Sequence, residues 1–157
     1  MRRSNIDILL CLGITSLIIW LDRITKHFIL DKLTLGEYIP IIKDVFHLTL
    51  QYNTGIAFGL FKDQGIVFII IPVIVIILLI VNIIYYKYNN EALSRPYIFG
   101  FSLILGGAIG NLIDRISYGH VVDFLDFRVW PVFNIADSAI TVGAVIIAFK
   151  CFQLSSK

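Results

Sequence analysis

Residues 65–86, GIVFIIIPVIVIILLIVNIIYY, run for 22 positions without a charge. An α-helix needs about 20 mostly apolar residues to cross the hydrocarbon of a bilayer. In lipid, every backbone N–H and C=O must be satisfied inside the protein, so an apolar run of this length forms a helix. Three more segments reach or approach this length, at about 8–28, 97–113 and 134–152. Composition agrees: 58% of the 157 residues are hydrophobic and only 15% are charged, against about 25% charged in soluble domains. The expectation is an all-α membrane protein, a single integral membrane domain spanning 1–157. It has four transmembrane helices and a small β-hairpin on the membrane surface. A formal net charge of +2 is too small to suggest a nucleic-acid partner.

The ends of the first span carry information. Its strictly apolar part stops at Leu21, and Asp22, Arg23 and Lys26 follow. Asp22 and Lys26 are four apart, share a helical face and can pair. A local anchor at the headgroups and a brace for a site both remain open. Met-Arg-Arg before an apolar run resembles a signal peptide, but no A-x-A-like cleavage site follows, so the segment is read as a retained helix. Basic residues do not orient the chain by raw count. Arg2 and Arg3 flank the first span, whose flanks usually dominate, which puts the N-terminus in the cytoplasm. Four spans return the C-terminus there. Cys11 and Cys151 then sit on the reducing side, and no disulfide is expected.

Between the first two spans, residues 46–52 alternate: Phe46, Leu48, Leu50 and Tyr52 against His47, Thr49 and Gln51. That is the period of a half-buried strand. Asn53-Thr54-Gly55 offers turn residues, and IAFGLF (56–61) reads as the returning strand of a hairpin on the membrane surface. On the residues alone, turn chemistry accounts for Asn53 and Gly55. Pro72 is expected to kink the second helix or widen its first turns, and Tyr85, Tyr86 and Tyr88 form an interfacial belt.

Most of the available chemistry lies between Gly106 and Ile140. Ser102, Gly106 and Gly110 form a small-xxx-small face for close helix contact. Asn111, Asp114 and Arg115 follow and point the same way, with Asp114 and Arg115 able to pair. After Pro131, Asn134 is placed to cap the fourth helix, with Asp137 as the third helical residue of a capping-box-like arrangement. A carboxylate there also suits the positive end of the helix dipole. Asp123 alone reads as an ordinary loop acid. Asp123 and Asp137 together say more. Two carboxylates at one membrane face can meet, like charges close together cannot both ionise, and one keeps a proton. The pair thereby supplies a base to activate water and an acid to protonate a leaving amine, titrating jointly. Asn111 and Asn134 can offer amide donors to a substrate.

Competing chemistries find little support. His27, His47 and His120 are scattered, with no HExxH, paired-cysteine or phosphate-loop motif. No metal and no cofactor are expected. A proton-coupled carrier would place acids nearer the midplane and often shows inverted repeats, and none is evident here. A purely structural subunit would tolerate Asp123→Asn.

The blocks DRITK (22–26), NTGIAF (53–58), GGAIGNLIDR (106–115), VVDF (121–124) and FNIADSAI (133–140) resemble those of lipoprotein signal peptidase, or signal peptidase II. They occur in that family's order over most of the chain. The resemblance implies a bacterial inner-membrane aspartyl endopeptidase of four spanning helices, with both termini cytoplasmic, a small extracytoplasmic β-cradle at about 35–60 and its site at the outer face. It implies removal of the signal peptide from a diacylated prolipoprotein, by cleavage before the lipidated cysteine. The catalytic dyad falls on Asp123 and Asp137. Substrate-binding or supporting roles fall on Asp22, Lys26, Asn53, Gly55, Asn111, Asp114, Arg115, Asn134 and Ala136. Membrane lipids and globomycin-type inhibitors are implied partners, and a monomer is expected, since one chain supplies every group. Two departures stand out. The segment between the aspartates is short and is expected to cover the site less, and Ile56 stands where the family often has a small residue. Asp126 reads as a solvated loop acid.

Overall fold

The computed structural model describes residues 3–55, 66–89 and 94–155. In chain order the elements are α1 (Arg3–Lys32), β1 (Tyr38–Ile42), β2 (Phe46–Asn53), α2 (Val67–Tyr88), α3 (Arg95–Tyr118), β3 (Val121–Asp126) and α4 (Ile135–Ser155). All four helices are long and apolar enough to cross a bilayer. The strands form one antiparallel sheet in the order β1-β2-β3.

The helices run past the ends that apolarity alone suggests. α1 continues beyond residue 28 to Lys32, and α3 beyond residue 113 to Tyr118. In the α3 extension Asp114 is compensated inside the protein by Lys26 and Arg23, while Asp31 and Lys32 at the end of α1 are exposed, so neither helix has to stop where the apolar run stops. α2 continues through Pro72. It has no buried residue among those described and packs mainly along α3.

α3 is the hub, touching α1, α2 and α4. Its expected small-residue face is present. A side chain at Gly106 would meet Ile18 and the Thr15 carbonyl of α1, and one at Gly107 would meet the Ala136 carbonyl of α4. At Gly110 a Cβ would lie 2.7 Å from Asp22 Oδ2. Glycine therefore sets how closely α1 and the start of α4 approach α3, as small residues do where helices pack in membranes.

The sheet differs from the expected hairpin. The strand predicted at 56–61, together with Ile56, lies outside the described residues, as do Arg2 and Lys157. The described partners of β2 are β1 before it and β3 far along the chain. The turn from β1 to β2 passes through Asp44 at φ 60°. VVDFLD is a strand and not a loop, paired to β2 from His47↔Asp126 to Asn53↔Val121. The alternation of β2 breaks at a register shift between Leu48 and Gln51. Extra residues in one strand re-aim those that follow, so Tyr52 is exposed and lies against His120. Leu50, Val122 and Phe124 pack on Ile29 and Leu33 of α1, fastening the sheet to one end of the helix bundle.

Candidate active site

α1 brings Asp22 and Lys26 to the sheet end of the bundle as the pair their spacing predicts, with Nζ–Oδ2 at 2.8 Å. Both side chains are wholly buried, so the pair is no headgroup anchor. Lys26 also contacts Asp114 of α3 at 2.7 Å and donates to Asn111 Oδ1 at 3.1 Å. Asp114 does not pair with Arg115. Adjacent helical residues point different ways. Asp114 faces α1 and takes Arg23 Nη2 at 2.7 Å, while Arg115 lines a separate recess with Thr54, Phe68, Ile69 and Gly119. Asp22, Asp114, Lys26 and Arg23 are formally neutral together. A buried carboxylate is tolerable only when compensated in this way.

This cluster organises the backbone around the two aspartates. Asp22 Oδ1 accepts the Ala136 N–H at 3.1 Å, holding the first turn of α4. Asp114 Oδ2 accepts the Val122 N–H at 3.2 Å, so β3 docks through its free edge on α3. Asn134 Nδ2 lies 3.3 Å from the Val122 carbonyl on the same edge. Asp123, the next residue on β3, is thereby turned into the interior at 1% exposure.

Asn134 is the centre of the arrangement. Its Nδ2 donates to Asp123 Oδ1 at 2.7 Å and lies 3.1 Å from Asn111 Oδ1. Its Oδ1 accepts the Asp137 N–H at 2.8 Å, and Asp137 Oδ2 accepts the Asn134 N–H at 3.3 Å. The capping box therefore forms as the spacing suggested, and its cap residue also grips the second carboxylate. Asn111 Nδ2 donates to Asp137 Oδ1 at 2.7 Å. On the other side, Asn53 Nδ2 donates to Asp123 Oδ2 at 2.9 Å, and Asn53 Oδ1 accepts the Gly55 N–H at 2.8 Å. Gly55 has φ 80°, and a Cβ there would collide with the Phe68 ring. Asn53 and Gly55 thus form a turn, as expected, and that turn aims an amide at Asp123.

Burial pushes the Asp123 carboxyl up to about 6, and the charge of Asp137 adds to the rise. The amides of Asn53 and Asn134 and the charge of Lys26 oppose it. Neither Asp123 nor Asp137 has a cation in direct contact among the described residues, only amide donors.

Two recesses open beside the pair. One of about 430 Å³ touches Asp123 and is lined by Gln51, Asn53, Thr54 and Trp130. The other, about 600 Å³, touches Asp137 and is lined by Phe127, Trp130, Phe133 and Thr141. The short segment between the aspartates therefore walls both recesses despite its length. Asp126 is not a free loop acid. It ends β3, accepts the Arg128 N–H at 2.8 Å and pairs with that guanidinium at 3.5 Å. His47 stacks on Tyr38, and His120 lies against Tyr52 and Tyr118. Residue-level reading did not reach Arg23. Its only sequence signal is its place inside DRITK, and its partner lies on another helix.

A family profile described as signal peptidase (SPase) II matches residues 14–153. The chain is 46% identical over 137 residues to the lipoprotein signal peptidase of Halothermothrix orenii, covering 87% of this chain and 91% of that protein. It is 43% identical over 141 residues to that of Brevibacillus brevis, covering 88% and 92%. Among solved structures it is similar to a bacterial membrane enzyme determined by the in meso method at 2.3 Å resolution. The TM-score is 0.81 at 30% identity, over 93% of this chain and 89% of that one. With four apolar helices of spanning length and a membrane enzyme as its structural neighbour, the chain is a multi-pass membrane protein.

Proposed function

The chain belongs to the signal peptidase II family and is a peptidase that removes signal peptides from prolipoproteins, and from that premise we propose that Asp123 and Asp137 are its catalytic pair. The observation that carries the proposal is Asn134, one residue that donates to both carboxylates, through its side-chain Nδ2 to Asp123 and through its backbone N–H to Asp137. It holds them in one polar pocket with amide donors and no direct cation among the described residues. Asp137 takes its donors from Asn111 and from the start of α4, where a helix favours negative charge. It is the base. Asp123 retains its proton up to about pH 6 and is the acid.

Asp137 removes a proton from water as its oxygen attacks the scissile carbonyl carbon. The tetrahedral intermediate collapses, the C–N bond breaks, and Asp123 passes its proton to the departing amine. Each transfer contributes about 10²–10⁴-fold. The pair's apparent titration belongs to both residues. Asn53, Asn111 and Asn134 position the carboxylates. Asp22, Lys26 and Asp114, with the Ala136 N–H, position α4 and β3. Gly55 keeps the Asn53 turn, and Arg115 faces substrate from the adjoining recess.

The substrate in this reading is a diacylated prolipoprotein, cut before its lipidated cysteine. The site lies at the outer face of the bacterial inner membrane, and both chain ends are cytoplasmic. One chain acts alone as a single domain. Globomycin-type inhibitors compete by lying across the pair.

The test is cleavage of a diacylated prolipoprotein by purified protein in detergent. Wild type is run beside Asp123→Asn and Asp137→Asn, with and without a chelator. Both variants should lose at least about 10³-fold in rate while remaining folded, and chelation should change nothing. Near-normal cleavage by either variant removes that residue from the chemistry.

A further inference from the structure

We propose that Trp130 is a specificity-determining residue that parts the substrate. It sends polypeptide into the recess beside Asp123 and an acyl chain of the lipidated cysteine into the groove beside Asp137. This rests on the peptidase reading above and adds to it which surface reads the lipid.

Trp130 borders both recesses. It is 69% exposed, so no folding requirement accounts for a large indole at this point. The loop that carries it is firmly built. Phe133 and Leu125 exchange backbone hydrogen bonds at 2.8 and 3.2 Å, closing its base. Phe127 stacks on Phe133 with centroids 5.8 Å apart and lies 4.7 Å from Phe46 of β2. Asp126 fixes the next turn through the Arg128 N–H, and Arg128 sits at φ 64°. Trp130 thus stands at the head of a braced arch, and tryptophan suits a place with one apolar and one wet side.

The two sides differ in chemistry. The Asp123 side presents Gln51, Asn53 and Thr54, groups that hydrogen-bond a peptide backbone. The Asp137 side is walled by Phe127, Val129, Phe133 and Val142. The Ser138 hydroxyl there is already used, donating to the Asn134 carbonyl at 2.9 Å. Beyond Val142, exposed Val145 and Phe149 extend an apolar strip along α4. These share one helical face and lead into the bilayer.

Volume selects the occupant. One helical turn fills roughly 400–600 Å³, from a diameter of about 10–12 Å and a pitch of about 5.4 Å. A groove of about 600 Å³ therefore takes one turn of a signal-peptide helix and no more. A single acyl chain is slender enough to enter and follow the α4 track, and each buried methylene adds about 0.8 kcal/mol.

The experiment uses two synthetic prolipoproteins with the same peptide and either long or short acyl chains, cleaved by the purified protein in bicelles of one composition. Wild type should prefer the long-chain substrate through a lower KM. Trp130→Ala, and separately Val142→Trp, which fills the groove from its floor, should cut that preference in kcat/KM about tenfold, the loss of a contact worth roughly two methylenes. Trp130→Phe should restore most of it. An unchanged long-to-short ratio in Trp130→Ala and Val142→Trp overturns the inference and leaves the peptidase intact. Failure of wild type to cleave either substrate overturns the peptidase reading itself.

Discussion

Four aspartates meet at one end of this bundle, and they fall into two pairs with opposite surroundings. Asp22 and Asp114 are wholly buried, and Lys26 and Arg23 reach them at 2.7–2.8 Å. Among the described residues, Asp123 and Asp137 receive only amide donors, from Asn53, Asn111 and Asn134. In the first pair the negative charge is cancelled, and the carboxylates are free to serve as acceptors for the Ala136 and Val122 N–H groups. In the second the like-charge conflict is left standing, and a proton is the cheapest way to relieve it. The same residue type is a structural fastener where a cation is supplied and, in the proposed mechanism, a proton carrier where only amides reach it.

The comparison breaks if asparagine substitutions affect both pairs alike. Asp123→Asn and Asp137→Asn should abolish cleavage with thermal unfolding in detergent nearly unchanged. Removing the cation should do the reverse. Lys26→Met strands the buried Asp22 carboxylate and leaves Asp114 with Arg23 alone, and should destabilise the fold by about 3–5 kcal/mol, read as a lowered unfolding temperature. Asp22→Asn and Asp114→Asn added to Lys26→Met should recover much of the loss. If that triple variant is no more stable than Lys26→Met, the cluster is not held by charge balance.

A pH profile sharpens the contrast. Asp123 keeps its proton to a higher pH than an ordinary carboxyl, so as the acid it is competent below about 6 and loses competence above. kcat/KM should fall about tenfold per pH unit on that limb. The Asn53 amide opposes the rise, so Asn53→Ala should move the limb to higher pH. A limb that stays in place removes that amide from the electrostatics of the pair. The smallest effect belongs to Arg23, which is partly exposed and leaves Asp114 still paired with Lys26. Arg23→Ala should cost only about 1 kcal/mol, and added salt should shrink the difference.

Much of this site was legible residue by residue. The Asp22–Lys26 pair follows from helical spacing, and the Asn134–Asp137 box follows from cap chemistry. The small face of α3 was readable from its glycine spacing. Elements that depend on distant partners were not. VVDFLD is too short and irregular to announce a strand. It becomes one because β2 pairs with it and Asp114 and Asn134 hold its other edge. The pairing assigned to Asp114 and Arg115 failed because neighbouring residues on a helix diverge. Arg23, on the facing helix, took that place.

Four apolar runs, their lengths and the acids at their margins were set by sequence alone, because the cost of exposing polar groups to hydrocarbon leaves few alternatives. Which acids are neutralised by cations and which are held by amides was decided only by tertiary structure. That distinction depends on a lysine and an arginine of α1 reaching α3 while asparagines from β2, α3 and the α4 cap reach the other pair. Charge compensation acts through contacts of a few ångströms, and such contacts between separate elements exist only once the chain has folded.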